Sequence, residues 1–433
     1  MNNEQMTMMK KHTKIWSIPF GWEEKKLKDV FYINKLSLPS TTSADYQIKY
    51  ITIEQVSTNL IDYDNCESFR FSDAPGRARR IVKDNDILIS GVRPNLKSFA
   101  IFKSPNTDNW ICSTGFFVLT AKNEEDNLIS YYELLSEIGD RQFYSYVAGS
   151  NYPAIGDSDI RNIRLILPVD KTERTAIANI LSKVDEAIAA LKGSIAAAEC
   201  LKKSLMQNLL TGIMKPDGTF RDKDDFFTDE KLGKVPNGWM VKRVKDFGKV
   251  ITGKTPPTDE HNVFSDKECG FMFITPGDIN SSKYIEQTER YVSDKGIKYS
   301  CKLPKNAVSE VCIGSTIGKI GITTEECCTN QQITTVVVNE QNDAEFFYYA
   351  MLARRAHFKS IAGINATPQI NKGEYSKYKI ICPKTKEEQI EIARRLSAVD
   401  DVINKKQKQI STLECLKKSL MQNLLTGRVR VMK

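Results

Sequence analysis

The sequence predicts two globular domains of mixed α/β (α+β) class, each followed by a long helix, in a chain built as an internal repeat. Two observations support this prediction: a segment of fourteen residues occurs twice, and two stretches have the apolar spacing of a coiled coil. The chain has 433 residues, too many for one ordinary hydrophobic core. Its 41% apolar and 27% charged residues are typical of a globular protein.

The repeat is clearest in the segment ECLKKSLMQNLLTG, which runs from Glu199 to Gly212 and recurs unchanged from Glu414 to Gly427. The same offset of 215 residues aligns Pro168 with Pro383. Near the start of each copy, PFGWEEKKLKDV from Pro19 resembles PNGWMVKRVKDF from Pro236. Between these regions the two copies barely match, which indicates two divergent domains joined by matched helices.

The matched helices carry apolar or small residues at alternating spacings of three and four, the pattern of a coiled-coil seam. These positions are Leu181, Val184, Ile188, Leu191, Ile195 and Ala198 in the first copy, and Leu396, Val399, Ile403, Lys406, Ile410 and Leu413 in the second, where Lys406 departs from the apolar pattern. Gly212 and Gly427 lie where C-capping glycines are expected. Since a duplication implies a pseudo-twofold relation, we predict an antiparallel coiled coil. Packing of each helix inside its own domain is the alternative.

The domain boundaries follow from these features and from shifts in composition. We predict a first globular domain with a mobile N-terminal tail over 1–167, a first long helix over 168–212, a polar linker over 213–235, a second globular domain over 236–382, and a second long helix with the C-terminal tail over 383–433. Short strand-like runs such as FFVLTA and ITTVVVN, with helical windows between them, give both domains their mixed class.

Motifs for catalysis and cofactor binding are missing from the sequence. It has no HExxH and no GxGxxG after a predicted strand, and GSTIGK from Gly314 departs from the spacing of a phosphate loop. Ten irregularly spaced cysteines and three histidines do not form a zinc pattern, so we expect reduced thiols and no metal. No run of apolar residues is long enough to span a membrane, and the start of the chain lacks the features of a secretory signal. We therefore expect a cytoplasmic protein.

The charge balance favours a polyanionic partner, because 62 Lys and Arg residues exceed 54 Asp and Glu residues and give a net charge of +8. Arg, Lys, Asn and Gln in the loops of the divergent domains are the candidates for contacts to DNA. Each could equally be a solvated loop residue or part of a turn. The candidates are Arg77, Arg79, Arg80, Lys83, Arg93, Asn95, Lys97, Ser150 and Asn151 in the first domain, and Thr252, Lys254, Thr255, Lys319, Asn330, Gln331, Asn365, Thr367 and Gln369 in the second.

With these motifs the chain resembles the DNA-specificity subunit of type I restriction-modification systems, the HsdS family. The resemblance rests on the two Gly-Trp pairs at Gly21 and Gly238, the phrases DILISGVRPNL and ITGKTPP, the segment INKGEYSKYKIICPKTKEEQIEIA, and the duplicated endings. It covers nearly the whole chain. One departure is TERTAIA from Thr172, where the second copy has the Glu388-Gln389 pair typical of the family.

The resemblance implies that each divergent domain is a target-recognition domain for one half of a bipartite sequence in double-stranded DNA. The paired helices would fix the gap, and two modification subunits would bind them. Those subunits would hold S-adenosylmethionine and methylate adenine, and restriction subunits, where encoded, would use ATP and Mg. The specificity subunit itself would be non-catalytic and would bind no cofactor.

The identical endings predict equivalent contacts with two copies of one partner. The candidate partner-binding residues are Leu201, Leu205, Met206 and Leu209 in the first copy, and Leu416, Leu420, Met421 and Leu424 in the second. Two other classes of protein remain as alternatives. A self-contained DNA-modifying enzyme would need cofactor motifs that the sequence lacks. A coiled-coil scaffold without DNA contacts explains the helices, but not the divergence of two domains.

Overall fold

The computed structural model describes residues 18–146, 153–257, 260–266, 270–280, 282–363 and 368–431. The chain divides into two compact units, one formed by Met1–Lys192 with Lys408–Lys433 and the other by Gly193–Gln407. Each unit therefore holds one globular domain, the first part of the long helix that follows it, and the last part of the other long helix.

The described part of the first unit has two four-stranded sheets, together with shorter strand pairs and helices. Its helices are α1 (Leu27–Val30), α2 (Glu124–Leu135), α3 (Glu137–Tyr146), α4 (Asp157–Asn162) and the first part of α5 (Lys171–Leu209). Its strands are β1 (Trp22–Lys26), β2 (Phe31–Ile33), β3 (Gln47–Ile51), β4 (Val56–Ser57), β5 (Leu60–Ile61), β6 (Glu67–Arg70), β7 (Ala78–Ile81), β8 (Ile87–Ser90), β9 (Phe99–Ile101), β10 (Trp110–Ser113), β11 (Phe116–Ala121) and β12 (Arg164–Pro168).

The second unit has a comparable set of elements. Its helices are α6 (Val244–Phe247), α7 (Ala344–Ala353), α8 (Arg355–Ile361), α9 (Lys372–Lys377) and the first part of α10 (Lys386–Leu424). Its strands are β13 (Phe226–Asp229), β14 (Gly233–Pro236), β15 (Trp239–Arg243), β16 (Gly248–Thr252), β17 (Phe264–Ser265), β18 (Phe271–Ile274), β19 (Tyr284–Ile285), β20 (Arg290–Val292), β21 (Val308–Val311), β22 (Ile320–Thr323), β23 (Cys327–Thr329), β24 (Ile333–Val338) and β25 (Lys379–Pro383).

The two domains have closely related strand orders despite their different sequences. The antiparallel order β2-β11-β8-β9 of the first sheet corresponds to β16-β24-β21-β22 in the second unit, which adds β19. A second sheet in each unit has one parallel pair, β3 with β10 and β18 with β23. In both domains the entry strand pairs with the exit strand, so that Trp22 lies opposite Pro168 and Trp239 opposite Pro383. The central strands therefore keep their order. The second sheets differ at one edge, since β7 lies beside β10 in the first unit whereas β17 lies beside β20 in the second.

The long helices α5 and α10 have 39 residues each. Each begins three residues after the proline that was predicted to open it, because Pro168 and Pro383 end the strands β12 and β25. Gly212 and Gly427 follow the helices with φ of +69° and +65°, which confirms their prediction as C-capping glycines. The predicted linker is partly structured, since β13 and β14 form an antiparallel hairpin.

Within each unit the two long helices pack antiparallel, as predicted. In the first unit, Leu181 of α5 and Leu424 of α10 are buried in one apolar cluster. In the second unit, Leu209 of α5 and Leu396 of α10 share a cluster in the same way. The end of each long helix therefore packs against the domain of the other copy. Among the described residues, every helix is too short or too polar to cross a bilayer.

Candidate nucleic-acid interface

In the first unit, one end of the antiparallel sheet gathers loops that are distant in the sequence. The amide of Gly91, just after β8, donates to the carbonyl of Gly115 at 2.9 Å, just before β11. Arg93 N donates to Pro153 O at 2.7 Å, and Ile155 N donates to Gly91 O at 3.0 Å. These bonds join the segments 91–97, 113–115 and 153–155, and a further bond from Thr114 N to Arg77 O adds the start of β7. We call this surface the first loop edge.

The second unit has an equivalent surface at the same end of its sheet. Cys312 N donates to Gln332 O at 2.8 Å, Gly314 N donates to Pro368 O at 2.9 Å, and Ile370 N donates to Cys312 O at 2.9 Å. Each of these bonds matches one in the first unit. The second loop edge consists of 252–255, 312–319, 330–332 and 368–370, so the same backbone framework carries different side chains in the two domains.

The first loop edge contains some of the predicted contact residues. Arg77, Arg93 and Asn95 are exposed there, and the carbonyl of Arg77 accepts from Thr114 N at 2.8 Å. Arg93 has φ of +48°, an uncommon left-handed conformation for a residue other than glycine. Such conformations cluster at functional sites, which is consistent with a role for this loop. Ser150 and Asn151 lie outside the described residues.

Other first-domain candidates lie away from the first loop edge or are used internally. Arg79 and Arg80 continue along β7, where the guanidinium of Arg79 lies 4.6 Å from the centre of the Phe71 ring. Lys83 precedes β8 and so lies at the opposite end of that strand. Lys97 donates to the Asp140 carboxylate and to the Leu135 carbonyl, both at 2.8 Å. Lys83 therefore lies outside the first loop edge, and the Lys97 amine is bonded within the fold.

The second loop edge brings together most of its predicted residues. Thr252, Lys254, Thr255, Asn330, Gln331 and Gln369 all lie there. Thr255 Oγ1 donates to Gln331 Oε1 at 2.5 Å, which fixes the orientation of that amide group. Lys319 instead donates to the carbonyl of Pro276 at 3.2 Å and acts as an internal contact. Asn365 and Thr367 lie outside the described residues.

The structure adds a turn at each loop edge that the sequence analysis missed. After β18, the Asp278 carboxylate accepts from Thr275 N at 2.8 Å and from Thr275 Oγ1 at 2.7 Å. After β3, the Gln55 side chain accepts from Thr52 N at 2.9 Å. The signal was present as the turn-forming sequence TPGD, but its place beside β23 depends on a parallel pairing that no local pattern predicts.

A buried carboxyl group lies beneath the second loop edge. Glu310 on β21 is 1% exposed, and its Oε2 accepts from the hydroxyl of Tyr375 on α9 at 3.1 Å. Burial raises the pKa of Glu310 to about 8, while the Tyr375 hydrogen bond and the nearby Arg355 guanidinium oppose that rise. Glu310 is the third residue of β21, a place taken in β8 by the buried Ile89.

The predicted partner-binding residues are only partly accessible. Leu209 and Leu424 are buried in the apolar cores of this chain, and Leu205, Met206, Leu420 and Met421 pack against those cores. Only Leu201 and Leu416 of this set have large exposed fractions, 52% and 46%. Leu209 and Leu424 are therefore corrected to core residues, because the two identical endings cover the Trp239 and Trp22 regions.

The thiols that the structure describes are free, and most of them are buried, in agreement with the prediction of reduced cysteines. Among the described residues, no three His, Cys, Asp or Glu side chains come together as a metal site would require.

The fold and its two loop edges define a duplicated recognition protein, in which one backbone framework presents two different polar surfaces. The model for the type I restriction modification DNA specificity domain matches residues 19–199 and again 236–414. The chain belongs to this family, the non-catalytic component that provides sequence-specific DNA recognition in such systems.

Similar proteins cover most or nearly all of the chain. A relative from Methanocaldococcus jannaschii, provisionally described as the MjaX specificity subunit of a type I restriction enzyme, is 27% identical over 97% of this chain and 96% of its own length. The type I restriction enzyme HindI specificity subunit of Haemophilus influenzae is 24% identical over 70% of this chain and 76% of its own.

Solved structures support the same fold. The S subunit of a type I restriction-modification system from M. genitalium has a TM-score of 0.61 at 15% identity, over 94% of this chain and 98% of that one. A chain from a study of assembly and conformational transition of the type I R-M system has a TM-score of 0.53 at 18% identity, over 96% and 100% of the two chains.

Proposed function

We propose that the two loop edges are the surfaces that contact DNA bases, each for one half of a bipartite target. The observation that carries this proposal is the equivalence of the backbone hydrogen bonds at the two edges, combined with their unlike side chains. Recognition of two different half-sites needs such an arrangement. The backbone framework must hold the loops in the same place in both domains, while the side chains on those loops determine which DNA sequence each domain recognises.

The side chains at the two edges suit different base contacts. The exposed Arg77 and Arg93 at the first loop edge are suited to guanine, whose O6 and N7 accept from a guanidinium group. The amide of Gln331 at the second loop edge is suited to adenine, which presents one donor and one acceptor in the major groove. The Asn330 amide is instead bonded to Gln332: its Nδ2 donates to Gln332 Oε1 at 3.0 Å, and its Oδ1 accepts from Gln332 N at 3.1 Å. Lys254, which is exposed beside them, is suited to a phosphate.

The chain functions in a complex with other restriction-modification subunits. We propose two modification subunits per chain, which bind S-adenosylmethionine and methylate adenine, and restriction subunits that use ATP and Mg where they are encoded. The identical endings support the count of two, since equal surfaces should bind equal partners. The exposed Leu201 and Leu416 are the contact residues that remain after the buried leucines are removed.

The test is a map of methylated sites in cells that express the chain with its modification subunit. Arg77→Ala should relax the sequence of one half-site only, and Gln331→Ala should relax the other only. Each lost bidentate base contact should cost about 1–3 kcal/mol of discrimination. Lys83→Ala and Lys245→Ala are the controls, because both side chains are exposed and lie away from the loop edges. Unchanged half-sites in both loop variants would refute the assignment of the edges.

A further inference from the structure

A buried polar pair distinguishes the second domain from the first directly below the loop edge. Glu310 and Tyr375 are both buried and are joined by the 3.1 Å bond from the Tyr375 hydroxyl. The corresponding residues of the first domain are Ile89 and Ile160, which are both fully buried in an apolar cluster. The offset of 215 residues links Ile160 to Tyr375, and the strand positions link Ile89 to Glu310.

The pair connects the two elements that hold the second loop edge. Glu310 lies on β21, whose next residues lead into the segment Cys312–Gly314. Tyr375 lies on α9, which follows Pro368–Ile370. Those two segments are the ones that bind each other through Gly314 N and Ile370 N, both at 2.9 Å. A change in the Glu310–Tyr375 contact would therefore act on both sides of the edge.

The surroundings of Glu310 provide no full compensation for a negative charge. Across the sheet it lies opposite Ile320 of β22 and Thr334 of β24, neither of which is charged. Arg355 of α8 is the nearby cation, while Tyr375, Tyr378 and Cys312 are the titratable neighbours from α9, the residue after it and the loop. His357 Nδ1 is hydrogen-bonded to the Tyr378 hydroxyl at 2.8 Å.

Arg355, the cation near Glu310, packs against the second loop edge. Its Cγ lies 2.9 Å from the point where a Cβ on Gly318 would be, so the side chain is in close contact with the loop 312–319. A negative Glu310 would attract the guanidinium group, and this movement would shift the packing under that loop.

We propose that Glu310 and Tyr375 are positioning residues for the second loop edge, and that loss of the Glu310 proton disturbs this edge and weakens recognition of its half-site. The inference rests on the proposed function of the loop edges. The first half-site serves as an internal comparison, because Ile89 and Ile160 cannot titrate. The buried carboxyl groups described in the first domain are bonded elsewhere: Glu133 accepts from Ile166 N on β12. Asp86 accepts from Thr120 Oγ1 and Lys83 N, and Asp126 pairs with Arg174.

The experiment uses the full chain with its modification subunits and its mapped target. Methylation rates are compared on three DNA duplexes, the target and two versions altered in one half-site each, from pH 7.0 to 9.5. Discrimination is the ratio of the methylation rate on the target to that on a duplex altered in one half-site. If only the form with protonated Glu310 recognises the second half-site, this ratio should fall roughly tenfold per pH unit above about 8 for that half-site and stay constant for the first.

Two variants separate titration from a merely structural role. Glu310→Gln keeps an acceptor for Tyr375 and cannot ionise, so it should retain discrimination at the second half-site up to pH 9.5. The double variant E310I/Y375I copies the first domain and should also lose the pH dependence. The same pH profile in Glu310→Gln as in the wild-type chain would overturn the proposal.

Hydrogen exchange in the free chain distinguishes failure of this inference from failure of the proposed function. Corrected for the intrinsic rate, exchange in 312–319 and 368–370 should rise between pH 7 and 9 in the wild type and not in Glu310→Gln. Absence of this difference overturns the positioning role. A clear difference without any change at either half-site would show that the edge is positioned by Glu310 but does not read DNA, which overturns the proposed function.

Discussion

Arg174 and Gln389 take equivalent places at the start of the two long helices, and they make the same contact with different chemistry. Gln389 Nε2 donates to the Pro383 carbonyl at 3.2 Å, and Arg174 Nε donates to the Pro168 carbonyl at 2.5 Å. The added charge of Arg174 is matched by the buried Asp126 carboxylate and, at 3.0 Å, by Glu23. The first copy departs from the family pattern by having Arg174 in place of glutamine, and the carboxylates of Asp126 and Glu23 neutralise the charge that this change adds.

This compensation predicts the outcome of restoring the family residue. Arg174→Gln should lower the free energy of unfolding of the first unit by about 3–5 kcal/mol, because the buried Asp126 loses its cation. The double variant R174Q/D126N should recover most of the loss. Urea unfolding of the three proteins measures both effects, and a loss below about 1 kcal/mol in Arg174→Gln would contradict the account.

The raised pKa of the buried Glu310 carboxyl also predicts that the free energy of unfolding depends on pH. The unfolded carboxyl releases its proton near the usual pKa of 4.5, whereas the folded one keeps it up to about 8. The folded state therefore holds a proton that the unfolded state has lost, and stability falls as the pH rises across this window. The stability of Glu310→Gln relative to wild type should grow from pH 5 to pH 8 and then level off. An equal difference at pH 5 and pH 8 would be inconsistent with a buried neutral carboxyl.

At the scale of elements, the identical endings have a structural reason to be identical. Each ends in a glycine of positive φ that packs against the entry of the other copy's domain. A Cβ on Gly212 would lie 2.3 Å from Pro236 Cγ, and one on Gly427 would lie 2.7 Å from Pro19 Cγ. The two Gly-Trp entries and the two endings are therefore complementary parts of one repeated contact.

Substitution of these glycines should be costly. Gly212→Ala and Gly427→Ala should each lower the free energy of unfolding by at least about 1 kcal/mol, since both combine positive φ with a close contact. Gly193→Ala is the control, because this glycine lies inside α5 with no atom within 4 Å of the new methyl group. It should stabilise the chain by up to about 1 kcal/mol. Thermal unfolding can be used to compare the three variants, and a neutral Gly212→Ala would refute the contact.

The exposed leucines of the endings predict partner stoichiometry. Leu201→Glu and Leu416→Glu should each remove one modification subunit, and the double variant should remove both, because each leucine lies on one of two equal surfaces. Leu60→Glu is the control, since Leu60 is 61% exposed on β5. Native mass spectrometry provides the count. One subunit on the wild-type chain under saturating partner would exclude two equal sites.

Elements that depend on local sequence patterns could be predicted from the sequence, whereas contacts between segments distant in the chain could not. The helices, their antiparallel pairing and their capping glycines follow from short-range periodicity and from the repeat. The shared strand order of the domains was missed, because pairings such as β3 with β10 join residues far apart in the chain. The internal partners of Lys97 and Lys319 could not be predicted, since a single sequence does not show the carbonyl and carboxylate groups that bind their amines.

At the scale of the whole molecule, an equivalent three-residue contact holds the long helices to the domain in each unit. Asp185 accepts from the Tyr132 hydroxyl at 2.9 Å and pairs with Lys417 at 2.6 Å. Asp400 accepts from the Tyr349 hydroxyl at 2.5 Å and pairs with Lys202 at 2.6 Å. Asp185 and Lys202 are 17 residues apart in α5, as Asp400 and Lys417 are in α10, so the two connecting stretches match in length.

This match leads to a prediction for the gap between half-sites. Seven residues inserted after Gly193 in α5 and after Lys408 in α10 preserve the heptad register and keep both contacts intact. They lengthen each helix by about 10 Å, which corresponds to roughly three base pairs. We expect methylation of the original half-sites with a gap larger by about three base pairs. Insertion into one helix only is the control and should reduce activity, because the connecting stretches then differ in length.

Exchange of one domain tests the central claim most directly, namely that each domain recognises its own half of the target. Residues 236–382 are replaced by the corresponding segment of a family member whose target differs, and methylated sites are mapped in cells that also express the modification subunit. We predict that one half-site changes to that of the donor, while the other half-site stays the same. A target in which both half-sites change, or neither does, would contradict the assignment of one half-site to each domain.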